Sequence, residues 1–207
     1  MFDLYYYHDP MCSWCWGYRD TARILFANLP QDLRLVRVLG GLAPDNDEPM
    51  PAPLRASLQA TWKRIESTLG TEFNFDFWEL CQPRRSTYPA CRAVIAAANQ
   101  EREVAIIEAI QRAYYLRAMN PSDTETLELL AVESGLDVAR FAEDLRSAAT
   151  ELELQRQVDF ARRSPINGFP SLAIGIGSEL VPVVHDYRSH ATTIAHIRSL
   201  TAPASSA

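Results

Sequence analysis

The sequence predicts an α/β fold in which a β-α-β unit and a β-β-α unit are separated by a helical insert of about one hundred residues. Three observations predict it. Two strand-like runs flank a helical one near the N-terminus. From Leu54 to Arg163, helix starts and stops follow one another with no convincing strand between them. A hairpin pattern returns only at Pro170.

Phe2 to Tyr7 is an aromatic run that suits a buried strand. His8-Asp9-Pro10 breaks it. From Cys15 to Leu29 the apolar positions Trp16, Ala22, Ile24, Leu25 and Leu29 suit an amphipathic helix that stops before Pro30. Leu33 to Leu39 alternates with period two and ends at Gly40-Gly41, giving a second strand parallel to the first. Residues 42–53 hold four prolines and an acidic cluster, which marks a loop.

Leu54 to Leu69 is a helix closed by Gly70. Phe73 to Leu80 is short, aromatic and of no clear type. Pro89 opens a helix to about Asn99, and Glu103 to Met119 forms the next. Ser122-Asp123-Thr124-Glu125 reads as a capping box for a helix ended by Gly135. Asp137 caps a short helix to about Ser147, and the last helix of the insert runs from about Thr150 to Arg163. Ser171 to Ile176 and Glu179 to Val184 form a hairpin about Gly177-Ser178, with Pro182 placing the second strand at an edge. Tyr187 to Leu200 closes the chain as a helix, followed by an Ala/Ser tail after Thr201.

The net charge of −6 leaves no basic footprint for nucleic acid. No apolar run is long enough to span a membrane. The N-terminus lacks the pattern of a secretory signal, so a cytoplasmic protein is expected. Four cysteines in 207 residues are too few for a disulfide scaffold.

Chemistry concentrates in Met11-Cys12-Ser13-Trp14-Cys15-Trp16-Gly17, between the first strand and the first helix. Cysteines three apart on a forming helix share a face, so a short disulfide closes with little backbone movement. Unpaired backbone N–H groups and the helix dipole favour a thiolate over a thiol at Cys12. The expected roles are attack by Cys12 and resolution by Cys15, one turn deeper. The motif alone also fits half a zinc site or a pair of core cysteines.

Together with that outline, three stretches resemble the DsbA-like thiol–disulfide oxidoreductases, in the cytosolic FrnE-like subgroup of predicted protein-disulfide isomerases. They are Asp9 to Gly17, Arg85 to Ala93, and Ile166-Asn167-Gly168-Phe169-Pro170-Ser171. The resemblance covers the whole chain. It implies a thioredoxin-like fold with a mixed four-stranded sheet, built from residues 1–45 and 164–207, around a helical insertion domain at 46–163. It implies a redox-active Cys12–Cys15 pair opposite a loop with a cis Phe169–Pro170 bond. Substrate contacts are expected at Phe169, Pro170, Trp14 and Ser13. The Phe169 backbone can pair with an extended substrate as a short β-bridge; alternatively, Pro170 merely starts a strand.

No metal or organic cofactor is implied. Glutathione or a thioredoxin-type reductant is the expected recycling partner, and proteins or small molecules carrying thiols or disulfides are the expected substrates. Two rivals remain. One is a glutathione-dependent transferase or isomerase of the kappa or hydroxychromene-carboxylate type, which generally has a serine at the first cysteine's place. The other is a non-enzymatic holdase presenting the aromatic run Phe73 to Trp78.

The neighbours have bland readings as well as functional ones. His8 either covers Cys12 or is a solvated loop residue, and the second is expected. His185 and Asp186 either reach the site or serve the last helix, where Asp186 is expected as a cap. Trp16 is expected to pack. Cys81 and Cys91 form either a second redox pair or structural thiols, and structure is expected. Arg84-Arg85 either binds an anionic group or is a solvated pair, the expected reading.

Overall fold

The computed structural model describes residues 1–202; residues 203–207, which include most of the Ala/Ser tail, lie outside the described residues. The elements in chain order begin with β1 (Phe2–His8), α1 (Ser13–Ala27) and β2 (Leu33–Leu39). Helices α2 (Ala52–Leu69), α3 (Phe77–Leu80), α4 (Tyr88–Ala98), α5 (Glu103–Leu116), α6 (Thr124–Glu133), α7 (Val138–Leu145) and α8 (Ala148–Arg163) follow. The chain returns to the sheet with β3 (Ser171–Ile176) and β4 (Glu179–Val183), and α9 (His190–Thr201) ends the described residues.

The four strands form one mixed sheet in the order β2-β1-β3-β4. β1 runs parallel to β2 and antiparallel to β3, which pairs antiparallel with β4. Pro182 lies on the edge strand β4, opposite Ala173. An edge tolerates a residue without an N–H.

Strand periodicity sorts the side chains between two faces. Leu4, Tyr6, Leu172 and Ile174 pack with Tyr18, Leu25 and Ile197, from α1 and α9. Tyr7, Val38 and Ala173 point the other way, onto Phe160 and Ala161 of α8. α8 faces two ways, since Leu154 and Val158 enter the helical cluster. Gln157 fixes its place by accepting the Leu39 N–H at 2.8 Å.

The helical cluster has two organisers. α4 is apolar on nearly every side, with Ala90, Cys91, Ala93, Val94, Ala96 and Ala97 buried, so neighbours pack all round it. Trp62 of α2 is fully buried and contacts the rings of Phe73, Phe77, Trp78, Tyr114 and Tyr115 at centroid distances of 4.8–6.0 Å. That cluster explains the short aromatic stretch. Phe77 and Trp78 form one helical turn whose purpose is to fill the space beside Trp62. The run Phe73 to Trp78 is therefore mostly interior, which removes the apolar surface on which the holdase reading stood.

Several sequence expectations need correction. His8 is the last residue of β1 and is 1% exposed, so it is no solvated loop residue. α1 begins at Ser13, two residues before the expected start. The capping box does not form. Asp123 is the N-cap of α6 but makes no capping bond with its side chain; it pairs with Arg84, and the Ser122 hydroxyl donates to the Ser86 carbonyl at 2.7 Å. Arg84 is thus a tertiary tie, not half of a solvated pair. The last helix starts at His190, because the Asp186 carboxylate accepts the N–H groups of Arg188 and Ser189 in a turn ahead of it, and Ser189 supplies the cap. No helix among the described residues is long and apolar enough to cross a membrane.

Burial holds the His8 imidazole neutral, pushing its pKa from 6.5 down to about 3. The unfolded chain takes up this proton near pH 6.5 and the folded chain does not. Stability present above pH 6.5 is therefore lost toward pH 3, by up to about 1.4 kcal/mol per pH unit. His8→Gln removes that slope. The expected result is a wild-type-minus-variant difference in urea-unfolding free energy that shrinks as the pH falls below 6.5. A difference independent of pH would contradict a neutral, buried His8.

Candidate active site

The site begins where β1 ends. Asp9 turns the chain: its carbonyl accepts the Cys12 N–H at 3.0 Å and its Oδ1 accepts the Met11 N–H at 2.8 Å. Asp9 is 0% exposed. Its Oδ2 accepts from the Leu42 N–H at 2.8 Å, the Thr87 hydroxyl at 2.7 Å and the Cys91 thiol at 3.6 Å. One carboxylate thus joins the cysteine loop, the segment after β2 and the N-terminal part of α4. Burial pushes its carboxyl up, against the opposing pull of these four donors.

Cys12 is the N-cap of α1, with extended backbone geometry at φ −81° and ψ 117°. Its Sγ takes the place of a capping oxygen and accepts the Cys15 N–H at 3.4 Å. The same thiol donates to the Phe169 carbonyl at 3.3 Å. Cys12 is 6% exposed and Cys15 1%, and both are free thiols. Burial, aided by the hydrogen bond to Cys12, pushes the Cys15 thiol well up. The Phe169–Pro170 peptide bond is cis, and Pro170 is buried.

Around the cysteines the expected contact residues divide. Trp14 is half-buried, edge-on to Tyr187 at 5.5 Å, with the Arg64 guanidinium 5.2 Å from its ring centre. The Ser13 hydroxyl accepts from Trp62 Nε1 at 3.0 Å, so it anchors the start of α1 to the helical cluster. Trp16 packs: its ring stacks on Tyr115 at 5.4 Å and its Nε1 donates to the Glu72 carbonyl at 2.9 Å. His185 packs between Tyr18 and Tyr187, and burial lowers its pKa. Cys81 and Cys91 are free and make different contacts. Cys81 donates to the Ala118 carbonyl at 2.9 Å, and Cys91 to Asp9.

Sequence reasoning assigned no role to Asp9, Thr87, Tyr115 or Tyr187. The Tyr115 hydroxyl donates to the Met11 carbonyl at 2.7 Å, so α5 also holds the cysteine loop. Thr87 and Cys91 lie within the Arg85 to Ala93 stretch. That clue was present, but nothing in sequence spacing shows that it meets Asp9, 78 positions earlier.

Gly40 is a condition of the site. A Cβ built there would lie 1.9 Å from Phe169 Cζ, so the Phe169 ring rests directly on the glycine. Gly40→Ala is expected to push the ring away, to cost about 1–3 kcal/mol of stability and to slow any chemistry that uses the Phe169 carbonyl. In Gly40→Ala/Phe169→Ala the clash is gone, so the double variant should be more stable than the sum of the single effects predicts. Additive losses in urea unfolding would contradict this contact.

The model of a family described as Thioredoxin matches residues 5–176. Among solved structures, a protein from Nitrosomonas europaea described as a candidate protein disulfide isomerase superposes with a TM-score of 0.80 at 28% identity, over 96% of this chain and 95% of that one. The cytosolic disulfide reductase DsbM from Pseudomonas aeruginosa gives 0.73 at 25% identity, over 96% of each chain. Among curated proteins, the ClpXP adapter protein SpxH of Halalkalibacterium halodurans is 23% identical over 197 residues. That match covers 91% of this chain but 64% of the relative, so the chain spans less than two thirds of its length.

Proposed function

The chain belongs to this thioredoxin family, with the fold of the DsbA-like oxidoreductases, and on that premise we propose that it is a thiol–disulfide oxidoreductase working through Cys12 and Cys15. The observation that carries the reading is the setting of Cys12 Sγ, held between the Cys15 N–H and the Phe169 carbonyl. An N–H aimed at sulfur bonds more strongly to a thiolate than to a thiol. A carbonyl beside the nucleophile is an acceptor that an extended substrate can take over from the departing thiol proton.

In reduction, Cys12 as thiolate attacks one sulfur of a substrate disulfide. The substrate S–S bond breaks and one substrate thiolate leaves, forming a mixed disulfide. Cys15 then loses its proton and attacks Cys12 Sγ. The second substrate thiolate leaves, and the enzyme holds a Cys12–Cys15 disulfide. Two electrons have passed to the substrate. Two glutathione thiols, or one thioredoxin-type dithiol, return them. Burial pushes the Cys15 thiol well up, which disfavours it as the first nucleophile. Phe169 and Pro170 meet the substrate backbone, and Trp14, half-buried against Tyr187, is an apolar contact. The likeness to DsbM supports reduction in a cytosolic setting.

The test is reduction of insulin disulfides by the purified chain with reduced glutathione as electron donor. Catalysis above the glutathione background is expected. A chain no faster than that background, with a thioredoxin-type donor also ineffective, would overturn the reading. The thiol chemistry proposed here is lost with both cysteines; insulin reduction by a Cys12→Ser/Cys15→Ser chain at the wild-type rate would contradict it.

A further inference from the structure

We infer that Trp62 and Tyr115, two buried residues of the helical insert, are positioning residues that clamp the cysteine loop in its dithiol geometry and thereby set the redox midpoint of the Cys12–Cys15 pair. The inference rests on the oxidoreductase reading above.

The clamp takes Cys12 from both sides. On its N-terminal side lies the Met11–Cys12 peptide group, a rigid plane. The carbonyl of that plane accepts from the Tyr115 hydroxyl at 2.7 Å, and its N–H donates to the Asp9 carbonyl at 3.0 Å. Both ends of one plane are therefore held. On the C-terminal side, the Ser13 hydroxyl accepts from Trp62 Nε1 at 3.0 Å, and the Cys12 carbonyl accepts the Trp16 N–H at 3.0 Å. Trp62 and Tyr115 are each 0% exposed, and their ring centres lie 5.3 Å apart. The two donors form one unit, anchored in α2 and α5.

What the clamp holds is made in the reduced state. Cys12 Sγ accepts the Cys15 N–H and donates to the Phe169 carbonyl. Oxidation joins Cys12 Sγ to Cys15 Sγ and removes both thiol protons. The bond to Phe169 then ends, and a neutral disulfide sulfur is a weaker acceptor for the N–H than a thiolate. Contacts made better in the dithiol than in the disulfide raise the midpoint, because they stabilise the reduced form. Loosening the clamp takes away part of that preference, so the midpoint should fall. Each lost tie is expected to favour the disulfide about three- to tenfold, and tenfold is about 30 mV.

The test is the equilibrium of the full-length chain with glutathione. Two glutathione thiols reduce the Cys12–Cys15 disulfide to the dithiol and leave as one glutathione disulfide. The oxidised fraction is read by alkylation and mass spectrometry of the peptide carrying both cysteines. Tyr115→Phe removes one oxygen, keeps the ring and reaches the loop through the Met11 carbonyl. Ser13→Ala removes the other tie and leaves Trp62 in place. Both should shift the equilibrium toward the disulfide, and Ser13→Thr, which keeps the hydroxyl, should match the wild type. Tyr114→Phe is the control. The Tyr114 ring also packs on Trp62, but its hydroxyl makes no bond to the cysteine loop among the described residues, so the midpoint should stay. A merely structural role would lower the stability of both redox forms alike and leave the midpoint unmoved. Unmoved midpoints in Tyr115→Phe and Ser13→Ala would overturn the clamp, as would an equal shift in Tyr114→Phe. A wild type without any transition would remove the oxidoreductase reading and the clamp with it, whereas a wild-type transition with unmoved variants removes the clamp alone.

Discussion

Replacing Cys12 with Ser is expected to lower disulfide exchange by at least about a thousandfold, the scale on which losing a catalytic nucleophile acts. The substitution removes one sulfur and little volume. The Ser hydroxyl can still cap α1 by accepting the Cys15 N–H, because serine is a favoured N-cap. Fold and melting temperature should therefore change little while turnover vanishes. Cys15→Ser leaves the first step intact and removes the second, so mixed disulfides with Cys12 should accumulate and be visible by mass spectrometry. A Cys12→Ser protein that reduced insulin at the wild-type rate would contradict the assignment, as would mixed disulfides found at Cys91.

Asp9→Ala is expected to be the most destabilising single change at the site, by about 3–5 kcal/mol. It strands the Met11 and Leu42 N–H groups and leaves the Thr87 hydroxyl only the longer bond to the Ala43 carbonyl at 3.4 Å. It also cuts the link between the cysteine loop and α4. Exchange should slow even where the variant remains folded, because Cys12 is placed by the turn that Asp9 makes. Asp9→Asn should cost less, since an amide oxygen still accepts. Burial raises the Asp9 carboxyl above its value of 3.8. The folded state therefore holds more protons than the unfolded state above that pH, and the wild type loses stability as pH rises through this window. The advantage of the wild type over Asp9→Asn should be largest in acid and narrow toward neutral pH, as measured by urea unfolding. An Asp9→Ala protein as stable as the wild type would show that the carboxylate is not the tie described.

What the sequence disclosed follows from which interactions are local. The strands Leu33–Leu39 and Ser171–Ile176 match their expected spans because period-two alternation is set within each run. Gly70 ends α2 with φ at +71°, a conformation that favours glycine and is readable from one residue. Cys12 and Cys15 stood out because their spacing is itself local. The failures are tertiary. Ser122 and Asp123 have the letters of a capping box, but Arg84 and Ser86 claim their side chains from across the fold. His8 looked like a loop residue beside Asp-Pro, yet the strand carries it into the interior. The bonds from Asp9 to Thr87 and from Tyr115 to Met11 join positions 78 and 104 residues apart, and no periodicity encodes them.

The most direct test of the central claim is a redox titration of the purified chain in glutathione buffers, followed by tryptophan fluorescence. Trp14 and Trp16 flank Cys15 and report on it. The account predicts one reversible two-electron transition, each tenfold step in the equilibrium spanning about 30 mV, absent in Cys12→Ser. A wild-type chain with no transition across the accessible range, its Cys12 and Cys15 remaining free thiols throughout, would contradict it.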